Sequence, residues 1–382
     1  MSEPNLVQAV WDVLARVNDP EIHRPITELG MVEEVRVDDG QAFVKVLLTI
    51  GGCPMRGTIE HDVHAALQGV EGLTGLELEF GVMSDEQRGA LKTKLRGGVR
   101  DREIPFSRDG NLTQVLLIAS GKGGVGKSSV TVNLAQAIAA RGKNVGVLDA
   151  DIYGHSIPPM LGIADAEVTG IDDMILPVTV GGLKVISVGM LKQSREQVIA
   201  WRGPILDRAL QQFLADVYWG DLDYLLVDLP PGTGDVAMSL GTKLPNAEVI
   251  VVTTPQQAAA EVAERAGTMA SMVEQKVIGV IENMAYFDFT APDTGRTYRI
   301  DVFGSGGGAR VAEALTLRLG YDIPLLAEVP LDVEMTAAGD AGVPLVATDV
   351  SRPAAAALDE LAERLVGRKR GLAGRKLGLL VT

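Results

Sequence analysis

Apolar and polar positions follow one pattern up to about residue 97 and another beyond it. In the first part, helical and alternating spacings are mixed, which is typical of a small α+β unit. The Asp19-Pro20 pair ends the first helical pattern, because a residue before proline disfavours helix. The predicted elements are a helix over 5–18, strands over Met31–Val37 and Ala42–Ile50 joined by an Asp38-Asp39-Gly40 turn, a helix over Thr58–Leu67 and a strand over Leu76–Phe80.

From residue 112 onward, short and continuously apolar runs alternate with helical stretches of about a dozen residues. Strands of this kind are buried on both faces, so they predict a parallel sheet covered by helices. We therefore expect an α/β fold with a doubly wound, mostly parallel sheet, preceded by the small α+β domain. The apolar runs are Val115–Ala119, Val145–Leu148, Tyr224–Val227, Val249–Thr253 and Val277–Ile281, and the last predicted helix is Pro353–Val366.

Composition shifts predict four segments: a domain at 1–97, a polar linker at 98–111, a larger domain at 112–366 and a tail at 367–382. The tail has five basic residues and no acidic one, so a weak membrane or partner anchor is one interpretation. Gly371, Gly374 and Gly378 disfavour a stable helix, and we expect a frayed terminus rather than a membrane contact.

Charge and cysteine content narrow the function classes. The chain has 35 basic and 50 acidic residues, and its net charge of −15 opposes general binding to nucleic acid. The single cysteine, Cys53, excludes an intrachain disulfide. The first residues do not resemble a signal peptide, and no long apolar run predicts a membrane span. These observations together predict a protein of the reducing cytoplasm.

A phosphate-binding motif lies between a predicted strand and a predicted helix. The run from Gly121 to Ser128 matches G-x-x-x-x-G-K-[ST], whose glycines let backbone N–H groups turn toward phosphate oxygens. In such a loop Lys127 reaches the β/γ-phosphates and Ser128 binds Mg²⁺. The predicted nucleotide-binding residues of the loop are Gly121, Lys122, Gly123, Gly124, Val125, Gly126, Lys127, Ser128 and Ser129.

Acidic residues follow two of the buried strands. Asp149 and Asp151 come after the strand Val145–Leu148, and Asp228 ends the apolar run Leu225-Leu226-Val227, which is the Walker B pattern. Because ligands of open α/β sheets bind at the carboxyl ends of strands, we expect all three acids near the loop. Asp228 is predicted to hold Mg²⁺ through water. A helix or turn cap is the alternative interpretation of each acid.

The second lysine of the loop, Lys122, makes the motif resemble the deviant Walker A class of ParA/MinD-like dimeric ATPases. The resemblance implies a homodimer in which Lys122 reaches the partner's nucleotide and stabilises charge during transfer. It also implies that Asp149 supports the Mg²⁺ shell and that Asp151 orients the attacking water. Lys127, Lys122 and Asp151 are therefore the predicted catalytic residues.

Further segments resemble the Mrp/ApbC family of ATP-dependent iron–sulfur cluster carriers, with a SufT-like N-terminal domain. The resemblance implies ATP and Mg²⁺ as cofactors, Asn283 as the residue that hydrogen-bonds adenine, and iron–sulfur assembly proteins or apoprotein clients as partners. The segments are Gly121–Ser129, Leu148–Ser156, Trp201-Arg202-Gly203-Pro204, Val227–Asp235, Thr253–Gln256, Glu282-Asn283-Met284, Phe303–Gly308 and, before the linker, Asp19-Pro20-Glu21, Leu29–Val32 and Gly52-Cys53-Pro54.

The chain departs from this family at the cluster ligands. The family's usual Cys-x-x-Cys pair belongs in the interval Ala285–Val302, which here contains no cysteine. Carboxylates in that interval are hard donors and poor replacements for thiolates. Cys53 is then a candidate cluster ligand, a transfer thiol or a partner contact, or simply a small turn residue. His61 and His64 are interpreted as surface residues.

The function predicted from the sequence is an ATPase that binds and slowly hydrolyses ATP to regulate iron–sulfur cluster or partner transfer. Two alternatives remain open at this point. One is a ParA/MinD-like spatial organiser, which the basic tail favours and the acidic chain opposes. The other is a nucleotide-gated scaffold or chaperone without a cluster, which the missing Cys-x-x-Cys favours.

Overall fold

The structure is a computed structural model that describes residues 3–49, 55–95, 103–108, 110–151, 154–191, 203–232, 234–256, 265 and 274–368. It forms two compact units. The first unit combines Met1–Thr113 with Asp165–Val180 and Lys184–Leu222, and the second combines Gln114–Ala164 with Gly181–Leu183 and Asp223–Thr382. Each unit therefore contains segments that are distant in sequence.

The first unit is built on a three-stranded sheet in the order β1-β2-β3, antiparallel between β1 and β2 and parallel between β2 and β3. Asp39 and Gly40 both have positive φ at the predicted hairpin turn. The elements up to the second unit are α1 (Glu3–Leu14), β1 (Val32–Asp38), β2 (Gln41–Leu48), α2 (Arg56–Leu67), β3 (Gly75–Val82) and α3 (Asp85–Leu95).

The core of the first unit includes residues from a second stretch of chain. Ile171 and Leu176 are buried in the same hydrophobic cluster as Val10, Val44 and Ile59 of the N-terminal helices and sheet. Ion pairs join the surfaces around this core, with Arg88 bound to Asp172 and Lys92 to Asp173. The N-terminal sheet and the 165–180 segment therefore share one core.

The second unit places its β-strands inside and its helices outside. Six strands are neighbours in the order β15-β12-β11-β4-β10-β5, and all five of these pairings are parallel. Every residue of Val145–Asp149 and Tyr224–Asp228 is buried, as two-sided packing requires.

From residue 114 onward, the elements of both units in chain order are β4 (Gln114–Ser120), α4 (Lys127–Ala139), β5 (Val145–Asp149), α5 (Ile157–Met160), β6 (Thr169–Ile171), β7 (Met174–Leu176), β8 (Val178–Val180), β9 (Leu183–Ser187), α6 (Gly203–Ala215), β10 (Tyr224–Asp228), α7 (Asp235–Lys243), β11 (Glu248–Thr253), β12 (Lys276–Asn283), β13 (Phe287–Thr290), β14 (Thr297–Ile300), α8 (Gly307–Leu319), β15 (Leu325–Val329), α9 (Val333–Asp340), α10 (Leu345–Thr348) and α11 (Pro353–Gly367).

The predicted α/β architecture with a smaller N-terminal α+β domain is confirmed, and element ends differ from expectation by a few residues. The helix predicted over 5–18 is wrong at its end, because α1 stops at Leu14 and Val17 packs from a turn. The segment predicted as a linker contributes buried Ile104 and Phe106, and the Phe106 ring packs edge-on against Trp219. The domain boundaries themselves stay a prediction.

Candidate functional site

The phosphate loop connects β4 to α4, as the motif predicts. Gly124 and Gly126 have φ of +80° and +75°, which are left-handed conformations that glycine adopts without steric cost. The loop borders a cavity of about 180 Å³ that is also lined by Asp151, Met160 and Pro231. The loop residues from Lys122 to Ser129 all line this cavity, whereas Gly121 is buried and is not among the lining residues.

Asp228 connects the loop to the neighbouring strand. Its carboxylate has no exposed surface and lies 2.7 Å from Nζ of Lys127, which is itself only 6% exposed. The Ser128 hydroxyl donates to Asp228 Oδ2 at 2.6 Å, and the Thr131 hydroxyl donates to Oδ1 at 2.8 Å. Three side chains from the first turns of α4 therefore converge on one buried carboxylate.

Asp149 lies beside Asp228 because the two residues are register partners on adjacent parallel strands. Asp149 is fully buried and accepts the backbone N–H groups of Asp151 at 3.1 Å and Ile157 at 3.4 Å. These two bonds fix the turn that follows β5. The carboxyl ends of two neighbouring strands thus bring two acids close to the start of α4.

Asp151 also lines the cavity. It is 8% exposed, and its Oδ1 accepts the N–H of Gly154 at 3.0 Å. A Cβ at Gly154 would lie 2.8 Å from Asp151 Oδ2, so the backbone packs directly against the carboxylate. This contact holds the side chain in one orientation toward the cavity.

The second lysine of the loop lies in a different environment from the first. Lys122 is partly exposed, and its Nζ donates to Oε1 of Gln256 at 3.0 Å, in the Thr253–Gln256 segment. Ser129, the last predicted residue of the loop, lies 3.9 Å from the sulfur of Met160. Both side chains are at the cavity, and their contacts to a nucleotide stay predictions.

Asn283 is the last residue of β12 and lies against the phosphate loop. Its side chain is 7% exposed, and Nδ2 donates to the backbone oxygen of Val125 at 2.9 Å. The predicted hydrogen bond from Asn283 to adenine stays a prediction. The same strand also buries Glu282, which accepts the N–H of Gly308 at the start of α8.

Burial raises the pKa of Glu282 above its usual value of 4.5, and the nearby Glu328 adds to this effect. The N–H groups of Gly308 and Gly306 and the charge of Arg310 oppose the increase in pKa. The carboxyl of Glu282 therefore binds its proton more tightly than the carboxyl of an exposed glutamate does. This residue starts the Glu-Asn-Met segment, but its link to α8 depends on tertiary structure.

Four contacts were not predicted from the sequence: those of Thr131 and Gln256, the helix cap formed by Glu282, and the Asn283–Val125 bond. Thr131 carried a usable signal, because it lies one helical turn after Lys127 and a hydroxyl there faces the same neighbour. Gln256 belongs to the Thr253–Gln256 segment that resembles the family, but the resemblance does not predict its contact with Lys122. The other two depend on side chains that reach from β12 to the start of α8 and to the phosphate loop.

The residues present fit a nucleotide with a divalent cation. The positive-φ glycines leave the loop backbone without Cβ atoms, and the N-terminus of α4 adds favourable partial charge for an anion. Within the described residues, the buried ammonium of Lys127 contacts the carboxylate of Asp228 and has no partner in hydrogen-bond geometry, so a phosphate can compete for it. Hydroxyl and carboxylate oxygens at Ser128 and Asp228 are the donor type that Mg²⁺ prefers.

The interval without cysteines forms a β-hairpin. Strands β13 and β14 pair Phe289 with Tyr298 and Phe287 with Ile300, which places four apolar side chains on one face. Phe289, Tyr298 and Ile300 are between 43% and 50% exposed. Within the described residues, no group of three or more His, Cys, Asp or Glu side chains is arranged for a metal ion. Cys53 lies outside the described residues.

Among the residues that the structure describes, no helix has the length and apolar character needed to cross a membrane. The basic tail that suggested a membrane anchor lies outside the described residues beyond Arg368.

Comparison with known proteins gives two matching family models. Residues 111–366 match the model described as NUBPL iron-transfer P-loop NTPase, and residues 7–79 match the model described as iron–sulfur cluster assembly protein. The first match covers more than half of the chain and includes every predicted nucleotide-site residue. The second match falls within the N-terminal unit.

Curated relatives resemble the chain over nearly its whole length. A protein of Mycobacterium tuberculosis named iron–sulfur cluster carrier protein is 53% identical, covering 98% of this chain and 97% of the relative. A protein of the same name from Deinococcus radiodurans is 44% identical over 94% and 95% of the two chains. A nucleotide-binding protein of Archaeoglobus fulgidus, solved with ADP, is 36% identical, with a TM-score of 0.52 over 63% of this chain and 91% of that one.

Proposed function

Because the chain belongs to the NUBPL iron-transfer P-loop NTPase family, we propose that it is an Mg²⁺-dependent ATPase that couples slow hydrolysis to iron–sulfur cluster assembly or delivery. The observation that carries the proposal is the convergence of Lys127, Ser128 and Thr131 on the buried carboxylate of Asp228. This arrangement places the ammonium of Lys127 and two hydroxyl groups at the start of α4, beside the cavity.

The phosphates of ATP bind in the cavity bordered by the loop. Backbone N–H groups from Gly123 to Ser128 and the N-terminus of α4 bind phosphate oxygens, and Lys127 turns from Asp228 toward the β/γ-phosphates. Ser128 and Asp228 hold Mg²⁺, with Asp149 supporting them from the adjacent strand. When bound, the ion neutralises charge on the β- and γ-phosphates.

Hydrolysis transfers the γ-phosphoryl group to water. The water oxygen bonds to the γ-phosphorus, the bond from that phosphorus to the β–γ bridging oxygen breaks, a proton of the water passes to a phosphate oxygen or to solvent, and ADP and phosphate leave. Asp151, held by the N–H of Gly154, orients the water. Lys127 stabilises charge on the transferring group from its own chain, and Lys122 does so from the partner of a homodimer.

The iron–sulfur role comes from relatives whose name states it, together with the N-terminal assembly-type domain. The cluster is cargo rather than a resident cofactor. One chain offers a single thiol, Cys53, so a homodimer offers two. We therefore propose that Cys53 contributes one thiolate to a transient cluster, and that a partner or client in the cytoplasm supplies others.

The ATPase proposal is tested by Lys127→Ala, with Lys143→Ala as the matched control. Lys143 lies 3.9 Å from Asp223 in an exposed pair, so its removal leaves the site intact. Loss of the buried ammonium is expected to lower phosphate release by about a thousandfold, the scale of a transition-state charge contact. Wild-type hydrolysis by Lys127→Ala, with intact folding by circular dichroism, contradicts the site assignment.

The trans role of Lys122 is tested by Lys122→Ala in a concentration series. We expect ATP binding to remain while specific activity falls, and wild-type specific activity to rise with protein concentration as dimers form. Specific activity that is independent of concentration and unchanged by the substitution contradicts the trans role.

The cluster role is tested by anaerobic reconstitution of the wild type and of Cys53→Ser, with and without ATP. Bound iron and sulfide that disappear in Cys53→Ser support carriage by this thiol. The single cysteine also favours a second candidate, a nucleotide-gated scaffold that acts on assembly partners without holding a cluster. Absence of bound iron and sulfide in both proteins, together with retained ATPase activity, favours that candidate.

A further inference from the structure

The side-chain amide of Asn283 supports the phosphate loop from outside. Asn283 ends β12, which is separated from β4 by β11 in the sheet. Its Nδ2 reaches the backbone oxygen of Val125 at 2.9 Å, in a buried contact. A residue from a distant part of the chain thus bonds to the peptide that immediately precedes the start of α4.

The contact is close enough to determine which residue can follow Val125. Gly126 has a φ of +75°, and a Cβ built on it would lie 2.3 Å from Nδ2 of Asn283. Such a distance is far below ordinary van der Waals contact, so the amide occupies the space that a side chain would need. Asn283 and Gly126 therefore fit each other as a pair.

The geometry of a trans peptide connects this bond to the ligand side of the loop. The C=O of Val125 and the N–H of Gly126 belong to one planar unit and point in opposite directions. Holding the carbonyl toward Asn283 turns the N–H of Gly126 away from it, and Gly126 lines the phosphate cavity. A fixed N–H donor costs less ordering on binding than a free one.

We propose that Asn283 is a positioning residue for phosphate binding, which sets the Val125–Gly126 peptide so that the N–H of Gly126 faces the phosphates. This inference rests on the proposed ATPase function and deepens it. It assigns Asn283 a role that does not depend on the base of the nucleotide. A contact with adenine instead predicts an effect on ATP alone.

The experiment compares ATP, GTP and inorganic tripolyphosphate as probes. Their binding to the full chain is measured by calorimetry at one Mg²⁺ concentration, for the wild type, Asn283→Ala and Asn283→Asp. In Asn283→Ala, we expect all three affinities to fall by the same factor, about five- to tenfold, as for the loss of one buried neutral hydrogen bond. Asn283→Asp keeps the shape of the side chain but places a carboxylate oxygen against the Val125 carbonyl, so its affinities are expected to be lower still.

Asn246→Ala is the matched control, because Asn246 is an exposed asparagine just before the start of β11. It should bind all three probes like the wild type. Thermal unfolding without ligand checks each fold, and Asn283→Asp preserves side-chain volume should Asn283→Ala unfold.

Two results separate failure of this inference from failure of the proposed function. Unchanged tripolyphosphate affinity in both Asn283 variants overturns the positioning role, whether or not ATP affinity falls. A wild-type chain that binds neither ATP nor tripolyphosphate overturns the proposed function and the positioning role with it. An equal loss for the three probes supports the positioning role.

Discussion

Strands β10 and β12 each bury one carboxylate near their carboxyl ends, and the two regions stabilise it in different ways. Asp228 is paired with the ammonium of Lys127 and accepts hydrogen bonds from the hydroxyl groups of Ser128 and Thr131. Glu282 accepts the N–H of Gly308, and burial raises its pKa. One carboxylate is held by a cation, and the other by the backbone at the start of a helix.

This difference shows what each region can respond to. The ammonium beside Asp228 is a charge for which an anionic ligand can compete, so the first region is suited to phosphate. Burial raises the pKa of the Glu282 carboxyl, so the second region is sensitive to pH while it joins β12 to α8. Both carboxylates are buried, so the difference between the two regions comes from the groups that contact each carboxylate.

The largest effect is expected from Asp228→Asn, which removes the charge that distinguishes the first region. It leaves the ammonium of Lys127 buried without a counter-charge, and this is expected to lower the free energy of unfolding by about 3 kcal/mol. Hydrolysis should fall at least about a hundredfold, since the predicted Mg²⁺ support is also lost. Urea denaturation and phosphate release measure the two effects.

Asp223→Asn is the control for this variant. Asp223 pairs with Lys143 at 3.9 Å at the start of the same strand, and both side chains are about two-fifths exposed. The expected loss of stability is below about 1 kcal/mol. Equal losses for the two aspartates would contradict the distinction between buried and exposed pairs.

The next effect is expected from Gly126→Ala. The substitution places a methyl group in a left-handed conformation, at a cost of about 1–2 kcal/mol, and against the amide of Asn283. Tripolyphosphate binding should weaken more than tenfold by calorimetry. Gly142→Ala shares the positive φ but has open space around the new Cβ, so it should lose stability without losing binding.

Gly308→Ala probes the second region. An added Cβ would lie 2.7 Å from Cβ of Glu282 and 2.8 Å from Cδ1 of Leu325, so we expect a loss of about 2 kcal/mol from overpacking. The control is Gly339→Ala in α9, where the nearest atom, Cγ of Met160, lies at 3.8 Å. Equal unfolding free energies for Gly308→Ala and the wild type would contradict the close packing of β12 and α8.

The smallest effect is expected from Glu282→Gln, and it depends on pH. A folded-state pKa above the usual 4.5 stabilises the fold fully below that value, and this stabilisation is lost as pH rises through the folded pKa. As pH rises above 4.5, the wild type should therefore lose stability relative to Glu282→Gln in urea unfolding. Parallel pH curves for the two proteins would show that Glu282 titrates normally.

The sequence predicts the placement of the Gly121–Ser128 loop and of the acids beside it, because local pattern and sheet geometry agree there. The motif fixes the loop, and parallel strands bring Asp149 and Asp228 to the same edge as register partners. Which side chains then bond to one another was not predictable, because Asn283 reaches the loop past an intervening strand. Such contacts depend on tertiary packing rather than on spacing.

The segment from 165 to 180 was missed for a different reason. Strands β6, β7 and β8 have three residues each, too few for a period of two to be recognised. The hairpin of β13 and β14 did carry a signal, because aromatic or aliphatic residues alternate with polar residues in both strands.

The shared core of the first unit has a consequence for protein synthesis. The N-terminal sheet is finished when residue 82 has been made, but Ile171 and Leu176 belong to the same apolar cluster. A chain emerging from the ribosome therefore exposes part of that cluster until roughly ninety further residues have followed. The order of segments along the chain therefore favours chaperone contact during this interval. It also makes the first unit slow to complete for its small size.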